Sequence, residues 1–271
     1  MAVATARPAP VEPARMQLVS WAISDALQMT KRNLLVWVRV PAYIAFTVVQ
    51  PVIFVLLFRY VFGGAIKVAV PGGYVNYLMP GIIGQTAAFA SFATAIALAE
   101  GMKQGVIDRL RSLPMARSAV LAGRLIADAI RMLITLLVIV AVGYAVGFRF
   151  NNGPGGAIGM ILLAELFGIV VCCVSGYIGL AIKDQEAVQA FGLIWLFPLT
   201  FVSSAFVQTN TMPSWLQAFA DNQPVTQVID AMRAMATGVG PIGTPLWHGL
   251  AWLAGILLIF APLGVRAYRK G

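Results

Sequence analysis

Histidine is almost missing from this chain: His248 is the only one. That excludes HExxH zinc sites and most metal clusters, which need several imidazole or thiolate ligands. Cysteine is nearly as scarce, and the two present, Cys172 and Cys173, are neighbours inside an apolar run. Adjacent cysteines seldom bridge, so a disulfide framework is excluded and both read as small packing residues. None of Lys31, Lys67, Lys103, Lys183 and Lys270 follows a glycine. The Gly-Lys step that carries an ammonium onto nucleotide phosphates is therefore absent. Charge of either sign is thin: 11% of 271 residues, against 60% hydrophobic. A water-soluble domain of this length needs far more charge to cover its surface. What remains is an all-α integral membrane protein with no catalytic site of its own.

Six runs of roughly 20 apolar residues are each long enough for a hydrocarbon core of ~30 Å. They predict spans at about 40–62, 78–99, 119–147, 156–182, 187–208 and 246–266. Gly63-Gly64 and Pro71-Gly72-Gly73 mark the first loop, and Asn151-Asn152-Gly153-Pro154 the third. Lys183-Asp184-Gln185-Glu186 separates the fourth span from the fifth. Charge placement orients the chain. With a cytoplasmic N-terminus, only Arg59, Lys67, Arg149 and Arg233 fall outside, leaving the other 15 of 19 basic residues inside or at the inner boundary. The positive-inside rule then puts both termini in the cytoplasm of a plasma (inner) membrane protein. The net charge of +9 sits at span ends rather than in one stripe, which points to anionic lipids or an acidic partner and not to nucleic acid.

Residues 1–15, with Pro8, Pro10 and Pro13 among alanines, have no apolar core of a signal peptide and are expected to be disordered. Residues 16–39 read as an amphipathic connecting helix along the membrane surface, with Leu18, Val19, Ala22, Ile23, Ala26, Leu27, Leu34 and Val38 on its apolar side. A helix packed on a partner subunit fits the same pattern. The six-span domain follows, over 40–268.

Two connections have structure of their own. Between Glu100 and Ser118, Val106, Ile107, Leu110 and Leu113 recur at helical spacing, and Pro114 should end the helix near Leu113. The result is a short cytoplasmic helix, apolar on one side and basic on the other. Between Thr209 and Thr244, Ser214 starts one half-length apolar helix, Asn222-Gln223-Pro224 forms a polar elbow, and Pro224 starts another. Trp215, Leu216 and Phe219 make one apolar cluster; Val225, Val228, Ile229 and Met232 make a second. The pair is too short to cross and reads as an extracellular re-entrant hairpin, with a pair lying flat at the interface as the plainer option.

Three polar features lie within spans. Glu165 is the one carboxylate well inside the hydrocarbon, where it could face a transport path, carry a proton or bond a neighbouring helix as a neutral acid. Arg124, Asp128 and Arg131 share one face of the third span and read as a cytoplasmic salt-bridge face. His248, beside Trp247 at the start of the last span, fits ordinary interface dressing. The Gly143/Gly147 and Gly155/Gly159 spacings allow close helix approach but are common in membranes.

Leu78-Met79-Pro80-Gly81-Ile82, the run from Gly105 through Pro114 with Gly123-Arg124 beyond it, and the outer Asn222-Gln223-Pro224-Val225 together resemble the permease subunits of type-2 ABC transporters, in their daunorubicin-resistance-like branch. The resemblance covers roughly residues 16 to 270. It implies two permeases, a second copy of this chain or a related one, working with two copies of a separate ATPase that binds ATP and Mg. It also implies that the connecting helix and the loop after the second span touch that ATPase. Carried over, the coupling residues are Glu100, Lys103, Gly105, Asp108, Arg109 and Arg111. Few polar groups line the spans, so the cargo expected is a hydrophobic or amphipathic drug, antibiotic or lipid. A proton-coupled secondary transporter is the first rival, although it calls for more intramembrane carboxylates than Glu165 alone. A membrane assembly factor without a transport path is the second.

Overall fold

The computed structural model describes residues 15–66, 68, 70–105, 117–182 and 184–270. No strand occurs among the described residues; the regular structure is helical. A long first helix, α1 (Arg15–Arg39), is followed by α2 (Pro41–Leu57), whose rod continues as a π-helical turn over Phe58–Phe62. Then come α3 (Tyr74–Lys103), α4 (Arg117–Ala145), α5 (Gly153–Ile182) and α6 (Gln185–Phe201). Two short helices, α7 (Ser214–Asn222) and α8 (Pro224–Thr237), precede the last, α9 (Gly243–Lys270). Proline sets several starts: Pro41 and Pro224 occupy first-turn positions, where the missing N–H has no helical acceptor to lose.

Among the described residues, four helical stretches are long and apolar enough to cross a bilayer: Tyr74–Lys103, Ala122–Ala145, Gly153–Ile182 and Gly243–Ala267. These make the chain a multi-pass membrane protein. The apolar stretch of α2, Thr47–Phe62, is shorter, and α6 has only 17 residues, or about 25 Å of rise. Interior prolines at Pro51, Pro80, Pro198 and Pro262 are accommodated within α2, α3, α6 and α9. A helix in lipid tolerates this because neighbours re-satisfy the freed carbonyls.

The helix at the centre is α3, packed most extensively on α5 and also on α2, α4, α6 and α8. Its buried face includes Leu78, Met79, Ile82 and Ile83, which join Leu136 and Ile139 of α4, Met160 of α5 and Leu196 of α6 in one core. Small residues set the spacing. A Cβ on Gly179 would collide with the Ala95 carbonyl, so the backbones of α5 and α3 touch there. Along α4, the same role falls to Gly123 against Ala26 of α1, and Thr30 donates to both the Ala26 and Gly123 carbonyls at 2.8 and 3.2 Å.

Several expected boundaries move. The second span begins at Tyr74 rather than 78, and its helix runs to Lys103. Glu100 and Lys103 therefore belong to the last turn of α3, not to a separate loop helix. Gly105, at φ +68°, ends that rod, since the left-handed region is open to glycine without a Cβ clash. Residues 106–116, which carry the rest of the expected short helix, lie outside the described residues, as do 1–14 of the N-terminal tail. The fifth span stops at Phe201 rather than 208. There the chain leaves the helix because Ser203, Ser204 and Ala205 bond to Thr200, Thr226 and one another instead. Gly147 and Gly155 do not serve as close-approach sites: Gly147 is a turn residue at φ +103°, and a Cβ on Gly155 would meet nothing. Gly156, beside the Met235 carbonyl, makes the approach instead. On α1, Ile23, Leu27 and Val38 are exposed while Ala26, Met29, Thr30 and Trp37 are covered.

Candidate functional site

Two polar clusters and a lone carboxylate between them lie along the bundle, located from the two ends of α3. Near the Lys103 end, Asp128 of α4 is 6% exposed and is the shared acceptor of one cluster. Its Oδ2 takes hydrogen bonds from Thr94 Oγ1 of α3 at 2.5 Å and from Arg124 Nε at 3.1 Å. Its Oδ1 takes one from Arg131 Nη2 at 2.6 Å. Spacing of i, i+4 and i+7 puts the three charges on one face, as the sequence reading has it, and Thr94 ties that face to α3. Arg124 also donates to the Ala93 carbonyl at 3.1 Å. Thr94 Oγ1 lies 3.6 Å from Cys172 Sγ of α5, and Ser91 and Ser175 bond at 2.8 Å. A small cavity beside this cluster is lined by Asp128, Arg131, Met132, Gly168 and Cys172. Desolvated charges like these hold when hydrogen bonds replace the lost water, and Asp128 accepts three.

Midway along α5 stands Glu165. Its Oε2 is buried and meets no hydrogen-bond partner among the described residues. It is not part of either neighbouring ion cluster.

The cluster at the Tyr74 end is one that sequence reasoning missed. Arg233 of α8 was expected only as an outside charge, yet it is 9% exposed. Its guanidinium lies 3.8 Å from the centre of the Tyr77 ring, a cation–π contact, while Nε donates to the Tyr77 carbonyl at 3.1 Å. Nη2 donates to the Ser204 carbonyl at 2.6 Å, and Nη1 pairs with Asp230 at 2.5 Å. Ser204 Oγ donates to Asp230 at 2.6 Å, and Tyr77 OH donates to the Ser204 carbonyl at 2.9 Å. The one sequence signal was Asp230 and Arg233 at i, i+3 in an otherwise apolar half-helix. The elbow residues lead into the helix that carries Asp230 and Arg233. Gln223, extended between α7 and α8, donates to the Val202 carbonyl, while its Oε1 is buried without a partner among the described residues. Asn222 bonds Ala218 at 2.8 Å and its carbonyl accepts from Trp252 at 3.1 Å; Pro224 opens α8. The α8 half of the hairpin is buried against α3, α5 and α9, with Val225, Val228, Ile229 and Met232 at 1% exposure or less. The α7 half is peripheral, leaving Trp215 and Phe219 exposed.

At the Lys103 end, Gln104 Nε2 donates to Glu100 at 2.8 Å, and Lys103 Nζ lies 3.8 Å from Asp184. Asp184 caps α6 by accepting from the Ala187 amide at 3.0 Å. That backbone bond, aided by Lys103, holds its carboxyl below the usual carboxylate range. Asp108, Arg109 and Arg111 lie outside the described residues. No cluster of three or more metal-binding side chains occurs among the described residues.

Comparison with known proteins gives this bundle a family. Residues 25–236 match the model of the ABC-2 type transporter family. The chain belongs to the ABC-2 type transporter family. It is 32% identical over 252 residues to the daunorubicin resistance ABC transporter permease protein DrrB1 of Streptomyces coeruleorubidus, across 92% of this chain and 87% of that one. To the probable doxorubicin resistance ABC transporter permease protein DrrC of Mycobacterium tuberculosis it is 31% identical, across 92% and 89%. The inner membrane transport permease YadH of Escherichia coli K12 is 23% identical, across 79% of this chain. In this ABC-2 permease the family match therefore takes in α2 to α8, both buried ion clusters and the whole hairpin.

Proposed function

We propose that this permease is the membrane-spanning half of an ABC exporter that moves a hydrophobic or amphipathic compound, a drug, antibiotic or lipid, out of the cell. The observation that carries the reading is near full-length similarity to permeases named for daunorubicin and doxorubicin resistance. In it, α2 with its π-helical extension and α6 join the four longer helices to give six spans, and the 15-to-4 division of basic residues puts both termini in the cytoplasm. The Lys103 end is then cytoplasmic and the Tyr74 end extracellular. The membrane is the plasma membrane, and α7–α8 is the extracellular re-entrant hairpin.

Energy comes from a separate ATPase, two copies with their ATP and Mg, acting on two permeases. The ATPase docks on α1 and on the stretch from Glu100 to Arg111, where Glu100, Lys103, Gly105, Asp108, Arg109 and Arg111 meet it. Closure of the ATPase pushes the ends of α3 and α4, and the Asp128 cluster passes the movement on because Thr94 and Arg124 join the two helices there. Access switches from inside to outside when these rods tilt. Inside-out vesicles containing this chain and its ATPase test the reading. Drug uptake that requires ATP and survives a protonophore is expected; uptake without ATP that collapses with the proton gradient would sink it. That second outcome is the one a proton-coupled carrier would give, and the unpartnered Glu165 carboxylate is the observation that favours such a carrier.

A further inference from the structure

Asp128 and Glu165 both hold a carboxyl group within the apolar helices, and the structure answers them differently. Asp128 accepts from Thr94, Arg124 and Arg131. Glu165 has one oxygen buried without a hydrogen-bond partner, and no ion pair to it occurs among the described residues. A charge withdrawn from water is costly unless it is paired. The buried arginines do not supply the partner: Arg124 and Arg131 are committed to Asp128, and Arg233 to Asp230.

Position on α5 sets Glu165 apart as well. Ile158 and Leu162, seven and three residues before it, share its face and are 59% and 62% exposed. Gly168, Ile169 and Cys172, three, four and seven residues after it, share the same face and line the cavity beside Asp128. So the carboxyl stands where an open apolar surface meets the wall of a polar cavity. Met132 of α4 lies against Gly168 in that wall, and its unbranched thioether moves aside more readily than a branched side chain.

We propose that Glu165 is a binding site for the cationic head of a lipophilic amine, which reaches it sideways from the bilayer along α5. One ammonium and one carboxylate satisfy each other's charge, and the apolar body of the amine rests on Ile158 and Leu162. A bare metal ion needs several oxygen ligands, and no cluster of three or more metal-binding side chains occurs among the described residues. An anion is repelled, and a neutral solute leaves the carboxylate without a counter-charge. The proposal rests on the exporter reading in taking this site to receive cargo, and it gives that cargo a positive charge.

Chemical labelling of the full-length chain with its ATPase in native membranes tests it. A hydrophobic carbodiimide, which attacks carboxyl groups in apolar surroundings, should modify Glu165, and mass spectrometry reads the adduct at that residue. A pyrene carrying an alkylammonium tail, present at about ten times its Kd, should slow that labelling about tenfold by mass action. Its N-acetylated and alcohol analogues, with the same apolar body, should not. In inside-out vesicles, Glu165→Gln should bring ATP-driven uptake of the amine down to that of the acetylated analogue, and Glu165→Asp should keep part of the difference. Resistance of Glu165 to the carbodiimide would overturn the sideways approach. Equal protection by all three compounds, or by none, would overturn recognition of the charge. Selective protection without ATP-driven uptake would leave the amine site standing and remove the exporter. ATP-driven uptake of the analogues without selective protection would do the reverse.

Discussion

Arg233 shows how a single charge is made tolerable inside a membrane protein. Its donors reach the Tyr77 carbonyl, the Ser204 carbonyl and Asp230, and its flat face lies on the Tyr77 ring. Asp230 is 39% exposed, so the cost of losing the guanidinium falls on the Tyr77 and Ser204 carbonyls, at about 1–3 kcal/mol for a buried group left unsatisfied. Arg233→Ala is therefore expected to lower the melting temperature of the detergent-solubilised permease strongly. Arg233→Lys should fall between, because an ammonium cannot serve two carbonyls and a carboxylate in one plane. Fluorescence-detected size exclusion after heating reads both. Glu165→Gln should behave oppositely: with no partner to lose, the neutral isostere should melt no lower than the native chain, and a change in drug export at unchanged stability would place Glu165 on the path. The difference between these residues was only partly legible in sequence. Arg124, Asp128 and Arg131 could be read together because their partners are within seven residues. Arg233 could not, because Tyr77 is 156 residues away in the chain and Ser204 lies in a segment that hydropathy assigned to a helix.

At the scale of elements, hydropathy located the long helices and misplaced where two of them stop. Apolar character runs on past Phe201, but from there the Val202, Ser204 and Phe206 carbonyls accept from Gln223, Tyr77 and Tyr74, and the Ser204 amide donates to Thr226. Helix α3 runs on to Lys103 because nothing before Gly105 forces a break. At that glycine the φ of +68° predicts that Gly105→Ala costs about 1 kcal/mol locally and frays the last turn. Faster amide exchange at Met102–Gly105 would show it. Helix α6 begins where Asp184 accepts the Ala187 amide. Folding lowers this carboxyl's pKa, so the stabilisation is complete above the ordinary carboxylate range and disappears as pH falls through the lowered value. The Ala187 amide should stay protected from exchange at pH 5 and lose protection only below the usual ~3.9 of aspartate. Asp184→Ala should abolish that protection at every pH.

For the whole molecule, the question is how a push at one end becomes an opening at the other. The contacts favour α3 as the carrier: it holds Glu100 and Lys103 at one end, Thr94 on the Asp128 cluster, and Tyr77 on the Arg233 cluster at the other. Both clusters bond to α3, so a rod that tilts must strain one or both. Only the Arg124, Asp128 and Arg131 part of this was legible in sequence, because Thr94 and the Tyr77–Arg233 contact join separate helices. If α3 transmits the push, replacing Asp108 and Arg109 with alanine and replacing Thr94 with valine should fail at different steps. The double alanine variant should lose co-purification of the ATPase, and export with it. Thr94→Val keeps the shape but withdraws the 2.5 Å bond to Asp128. It should keep the ATPase bound and hydrolysing while drug uptake into inside-out vesicles falls severalfold. Equal loss of binding and export in both variants, or no loss in either, would remove α3 from the coupling route.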